Sequence, residues 1–248
     1  MKKLKIATLI TILIFLFTDC SKEQGSNYGF FAWMDAYIAV ESNTNNAIAI
    51  TLFFDDPPFK KEDVTSVNFE NIQEYVTISN FGIDDSAPKN GDYYTYIITL
   101  EYIPEVTGIY DTSGIIIELS NNTRINYPVG SWVFDINGQA AGIVDSWNSP
   151  VASKNAVEFP FNYSVNNGNI NKIHYGKDIF ISNVDGIIEK GTIDIKDSYT
   201  SPVVYIKTKI EVYVNGIQKI DYGKGCYCGA FGFSEDGLIS SKKHNSIN

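Results

Sequence analysis

The sequence has little with which to do chemistry. Its 248 residues include two histidines and three cysteines. His244 falls in a polar C-terminal stretch, which leaves His174 as the histidine best placed to act as a base or ligand, although a strand histidine between Ile173 and Tyr175 more often serves in hydrogen bonding. Gly-x-Ser-x-Gly and His-Glu-x-x-His are both missing, so the elbow of many serine hydrolases and the zinc pair of many proteases are not written in the chain. Ser240-x-x-Lys243 has a serine–lysine spacing but sits in the same polar tail. Gly223-x-Gly225-x-x-x-Gly229 has one residue too many for a dinucleotide loop, and no helical pattern follows it. Basic residues are also scarce. There are 19 against 29 acids, for a formal net charge of −10, a balance that repels phosphate backbones and argues against a nucleic-acid partner. Beyond residue 20 no apolar run approaches the roughly 20 residues of a membrane-spanning helix, and no repeat period is visible.

What is present is apolar and aromatic. Hydrophobic residues make up 44% and aromatic residues 14% of the chain, enough for a sizeable core. Their period is two. Ile48, Ile50, Leu52 and Phe54 share one face of 46–54, and Tyr94, Tyr96, Ile98 and Leu100 share one face of 93–100. In 203–214, Val204, Ile206, Ile210, Val212 and Val214 oppose Lys207, Lys209 and Glu211. Such alternation predicts half-buried strands, because successive side chains point to opposite faces of a sheet. Further strands are expected in 35–41, 75–81, 114–119, 130–136, 156–165, 178–183 and 187–195. Pro160 places its strand at an edge or bulge. Asn215-Gly216 predicts a tight hairpin turn, and Asn90-Gly91 and Asn137-Gly138 mark further turns. A short peripheral helix is expected within 60–74, and the polar tail 234–248 is expected to fray. The polar stretch 145–155 with Pro150 divides two sets of strands. The expected fold is therefore all-β, with two immunoglobulin-like β-sandwich domains at 30–146 and 151–233; a single larger sandwich or barrel is the alternative.

The N-terminus carries an address. Lys2, Lys3 and Lys5 precede an apolar run from Ile6 to Phe17, too short for an ordinary membrane span but suited to a signal peptide over 1–19. Leu16-Phe17-Thr18-Asp19 leads directly into Cys20. This arrangement resembles the lipobox of bacterial lipoproteins, with Asp19 where that family has a small residue. Ser21-Lys22-Glu23-Gln24 is similar to the start of many Bacteroidetes lipoproteins. The resemblance implies lipidation of Cys20, a short tether through residue 29, and residence in the cell envelope, at the outer membrane or cell surface. An ordinary secretory leader with an incidental cysteine is the other reading. Cleavage removes three lysines and Asp19, leaving 16 bases and 28 acids and a formal charge of −12. Acyl chains of the palmitate type would then hold the protein to a membrane without a spanning helix.

Candidate site residues are few. Cys226 and Cys228 could form a local disulfide or remain as two quiet thiols; Cys-x-Cys is not the usual redox spacing, and no histidine lies nearby in sequence. Asp55-Asp56, Asp84-Asp85 and Asp92 could offer oxygen ligands to calcium, but acids beside turn residues mainly mark turns. No other metal or cofactor is expected. Trp33, Trp132, Trp147 and the tyrosines at 93, 94 and 96 could form an aromatic platform, with Trp147 and Tyr93 the candidate ligand contacts, although core packing accounts for most such residues. The expected function is a non-enzymatic binding module for an envelope protein or a glycan. The alternatives are a glycan hydrolase built on two carboxylates or a structural envelope component.

Overall fold

The period-two segments form strands, and those strands form packed sheets. The computed structural model describes residues 23–24, 28–146, 150–182, 188–229 and 235–245; Cys20 and Trp147 lie outside them. In chain order the first strands are β1 (Glu23–Gln24), β2 (Phe30–Phe31), β3 (Met34–Glu41), β4 (Asn46–Phe54), β5 (Val64–Phe69), β6 (Val76–Asp84), β7 (Tyr94–Pro104), β8 (Gly108–Leu119) and β9 (Arg124–Asn137). The later ones are β10 (Val144–Asp145), β11 (Ala152–Ser153), β12 (Glu158–Val165), β13 (Asn169–His174), β14 (Phe180–Ser182), β15 (Ile188–Asp194), β16 (Val203–Lys207), β17 (Lys209–Val214), β18 (Ile217–Tyr222) and β19 (Cys226–Gly229). One helix, α1 (Glu235–Asn245), follows.

Four sheets result. The largest has the order β11-β19-β16-β3-β9-β8-β5, with β1 also on β9; the others are β2-β4-β7-β6, β10-β12-β15 and β14-β13-β17-β18. The all-β class expected from the alternation is thus observed, and the sheets stay open. The first core lies between the large sheet and β2-β4-β7-β6. There Ile48, Ile50, Leu52 and Phe54 meet Ile38, Val40, Trp132 and Phe134. The second lies on the other side of β16 and β19, where Phe159, Tyr163, Ile173 and Ile210 surround Cys226 and Cys228.

The expected division at 146–151 does not separate the sheets. β16 pairs in parallel with β3, from Val203 beside Met34 to Lys207 beside Ile38. Its residues alternate between the cores: Val203 and Tyr205 enter the first, Val204 and Ile206 the second. One strand therefore serves two cores, which period-two patterning permits when both faces are apolar.

Expected 203–214 is two strands, not one. Thr208 breaks it, fully buried, with its hydroxyl 2.8 Å from Tyr163 Oη and its carbonyl accepting from Gly223 N. At the break the chain leaves the large sheet for the sheet of β17. Two lysines pin the crossing. Lys207 Nζ donates to Asn46 Oδ1 at 2.6 Å, and Lys209 Nζ lies 2.5 Å from Asp135 Oδ2, which also accepts from the Tyr37 hydroxyl at 2.6 Å. Burial alone would raise the Asp135 carboxyl, but the bonds from Lys209 and Tyr37 outweigh it and hold it below the ordinary value.

Two other expectations are corrected. The helix expected within 60–74 is a single 3-10 turn, Lys61–Asp63, followed by β5. Val64, Val67 and Phe69 bury themselves from an extended backbone, which suits β-branched and aromatic residues. The tail expected to fray instead forms α1, with Glu235 and Asp236 in its first turn and Lys242 and Lys243 in its last, charges that complement the helix dipole. Turn chemistry follows the sequence: Asn215 (φ 52°) and Gly216 (φ 76°) join β17 to β18. Pro160 lies on β12 where β10, paired only to Ser164 and Val165, leaves that edge without a ladder.

Candidate binding cleft

Tyr93 stands at the mouth of β7, beside a tight turn. Asn90 and Tyr93 exchange backbone hydrogen bonds of 3.0 and 3.1 Å around Gly91, whose φ of 60° suits glycine. The turn is fastened at its base, because the Thr95 hydroxyl donates to Pro88 O at 2.8 Å and Lys89 Nζ sits 3.6 Å over the Tyr94 ring. The Tyr93 ring packs edge-on against Phe30 at 5.3 Å, which fixes its orientation.

Helix α1 supplies the facing wall. Lys242 Nζ donates to the Tyr93 hydroxyl at 3.1 Å and lies 3.8 Å from Asp55 Oδ2. The hydrogen bond to Tyr93, followed by Asp55, raises the Lys242 ammonium above its ordinary value, so it stays charged. Between turn and helix opens a cleft of about 740 Å³, lined by Asn90, Asp92, Tyr93, Glu235, Ile239 and Lys242 among others. Across the same turn lies a second cleft of about 480 Å³ whose floor is Ala49, Thr51 and Ile97, on the outward face of β4 and β7. Aromatic surface, carboxylates, amide and ammonium thus face one concave space, a combination suited to holding a polar ligand.

The remaining sequence candidates are placed elsewhere. Trp132 is fully buried in the first core, with its indole N–H donating to Met34 O at 2.8 Å, and Trp33 stacks on His244 at 4.6 Å. Tyr96 is buried and donates to Phe59 O. Tyr94 is exposed under Lys89, so the described aromatics of this set are dispersed, and among them Tyr93 alone lines the cleft. His174 Nε2 is 2.7 Å from Glu211 Oε1, and Gln218 Nε2 donates to Glu211 Oε2 at 3.0 Å. Asp85 pairs with Lys61 at 2.8 Å, and Asp84 caps Ser86 N–H. Among the described residues no group of three His, Cys, Asp or Glu side chains is close enough to hold a metal. Cys226 and Cys228 are buried free thiols on one face of β19. Their mutual hydrogen bond, together with burial, drives the Cys228 thiol far above its ordinary value.

No family model matches the chain, and no curated protein does. Solved structures overlap it weakly. The sialic acid binding region of a Streptococcus sanguinis adhesin is 9% identical over 76% of this chain and 75% of that one, with a TM-score of 0.25. The fibronectin(III)-like modules of CbhA from Clostridium thermocellum are 13% identical over 78% and 87%, with a TM-score of 0.22. SGBP-B of a Bacteroides ovatus mixed-linkage glucan utilization locus, solved with a heptasaccharide, is 14% identical over 75% of this chain and 42% of that one, with a TM-score of 0.25. At these scores the strand pairing itself, not the overlap, defines the fold.

Proposed function

We propose that this protein is a non-enzymatic binding module of the bacterial cell envelope, tethered by lipid on Cys20, and that the Tyr93 cleft takes a glycan. The observation that carries the binding reading is the pairing of an oriented aromatic ring with Lys242, Asn90 and Asp92 around one concavity. A sugar offers an apolar ring face and a rim of hydroxyls, which matches that division of apolar and polar surface. The anchor reading is supported by the basic, apolar and cysteine order of the leader.

Two measurements test this. Glycan-array binding by the soluble 21–248 chain should fall at least tenfold in affinity with Tyr93→Ala, the loss expected when roughly 1.4 kcal/mol of contact is removed. Absence of any glycan signal from the unaltered chain overturns the ligand assignment. Cys20→Ala should abolish incorporation of labelled fatty acid in the cell, and unchanged labelling overturns the anchor.

A further inference from the structure

The two clefts beside the Asn90–Gly91 turn share a wall, since Asn90 and Gly91 line both. The described lining of the second comes from β4, β7 and the chain leading into β7. Its floor holds the cross-strand pair Thr51 and Ile97, and its wall runs from Ala87 to Gly91. Ile97 is 37% exposed there, an apolar side chain open to solvent inside a concavity. At about 740 and 480 Å³, each cleft falls within the roughly 300–1,000 Å³ of small-molecule sites.

The crest between the clefts is bare and fixed. A Cβ on Gly91 would meet nothing within 4 Å. The N–H and C=O of Asn90 are both engaged by Tyr93, and the Thr95 hydroxyl holds the base of the turn through Pro88 O. An extended peptide binds mainly through main-chain hydrogen bonds, and Asn90 has none left to offer one. Its side-chain amide carries both donors and an acceptor, which suits hydroxyl groups. A crest already ordered also lowers the entropy cost of binding.

Charge narrows the ligand further. Among the described residues, the first cleft sets Asp92 and Glu235 against Lys242 and Lys243. The second has Lys89 alone, over the Tyr94 ring. The signs largely cancel, so the surface presents no run of cations to a polyanionic chain.

We propose that the two clefts are consecutive subsites of one groove, and that the ligand is a neutral linear polysaccharide bound along its length, crossing the turn over Gly91. The inference rests on the glycan reading of the Tyr93 cleft and adds the ligand's charge, length and path. A repeating polymer presents the same apolar ring face and hydroxyl rim to each cleft in turn. Tyr93 then serves one sugar unit, and Thr51 with Ile97 serves another. Linking two subsites makes the second contact intramolecular, so affinity climbs with chain length until both are filled.

The test is calorimetric titration of the soluble 21–248 chain with cello-, manno-, xylo- and malto-oligosaccharide ladders, and with oligogalacturonates as the charged comparison. On at least one neutral ladder the longest oligomer should bind at least about tenfold more tightly than the shortest that binds, with a plateau at the end. Ile97→Asp should bring that ratio close to one, and Thr51→Asp repeats the test on the same floor if the first variant folds poorly. Gly91→Asn should also lower it, because asparagine accepts a positive φ, as Asn43 and Asn215 do in this chain, and its side chain stands on the crest. Tyr93→Ala, by contrast, should weaken every length. Binding without length dependence leaves the glycan reading intact and overturns the groove, as does a ratio that survives the floor variants or Gly91→Asn. Binding confined to oligogalacturonates overturns the neutral assignment. Silence on every ladder overturns the groove as well, and the glycan array separates that result from failure of the glycan reading itself.

Discussion

At the residue scale the most consequential side chain is Lys207. It is largely buried, and burial draws its ammonium down from 10.5 to about 8. Its partner is the neutral oxygen of Asn46 rather than a carboxylate. Because the folded value lies below the unfolded one, the unfolded chain binds more protons between about pH 8 and 10.5, and stability rises with pH across that window. The shift corresponds to about 3 kcal/mol, a penalty present in full at pH 7. Lys207→Met should therefore stabilise the protein at pH 7 by about 1–2 kcal/mol, the lost Asn46 bond offsetting part of the gain. Urea melts between pH 7 and 10 check this: the variant should lack much of the rise seen in the unaltered chain. Asp135 differs, because a buried carboxylate with Lys209 and Tyr37 as donors is satisfied where it stands.

At the scale of elements, alternation made the strands legible, since Ile48 through Phe54 can bury one face only from an extended backbone. What the alternation could not show is which strand lies beside which. Val203–Lys207 and Met34–Glu41 are far apart in sequence, and nothing in either encodes their parallel pairing. The break at Thr208 was hidden because even-numbered apolar residues continue across it, with Val204, Ile206, Ile210 and Val212 all in the second core. The helix α1 did leave a signal, acids at its start and bases at its end, but its near-lack of apolar periodicity concealed it, and with it the Lys242 wall of the cleft. Tyr93 could be singled out as an aromatic; its orientation by Phe30 is tertiary. Gly130 on β9 illustrates another unseen constraint. Its φ is +123°, and a Cβ there would run into the Met34 carbonyl oxygen of β3. Gly130→Ala should lower stability by about 2–3 kcal/mol, seen as a lower urea midpoint with an unchanged slope.

At the scale of the whole molecule, the large sheet binds the two halves of the chain into one unit. A fragment ending at residue 149 would lose Val203 and Tyr205 from the first core, roughly 3–6 kcal/mol of burial at about 1.5–3 kcal/mol per side chain. That is comparable to the 5–15 kcal/mol stability typical of a domain. The fragment should therefore fail to fold, with Trp132 emitting as a solvent-exposed indole. The full chain should unfold in a single transition with coincident fluorescence and circular dichroism curves. Two separated transitions would show that the halves fold independently after all.

The place of β16 between β3 and β19 also bears on how the molecule is made. A strand that starts at residue 203 completes a sheet begun at residue 34, so the middle of the structure waits until Val203–Lys207 has left the ribosome. Until then β3 offers an open flank to any passing chain. Transport across a membrane in an unfolded state, with assembly only after release, would spare the growing polypeptide that exposure.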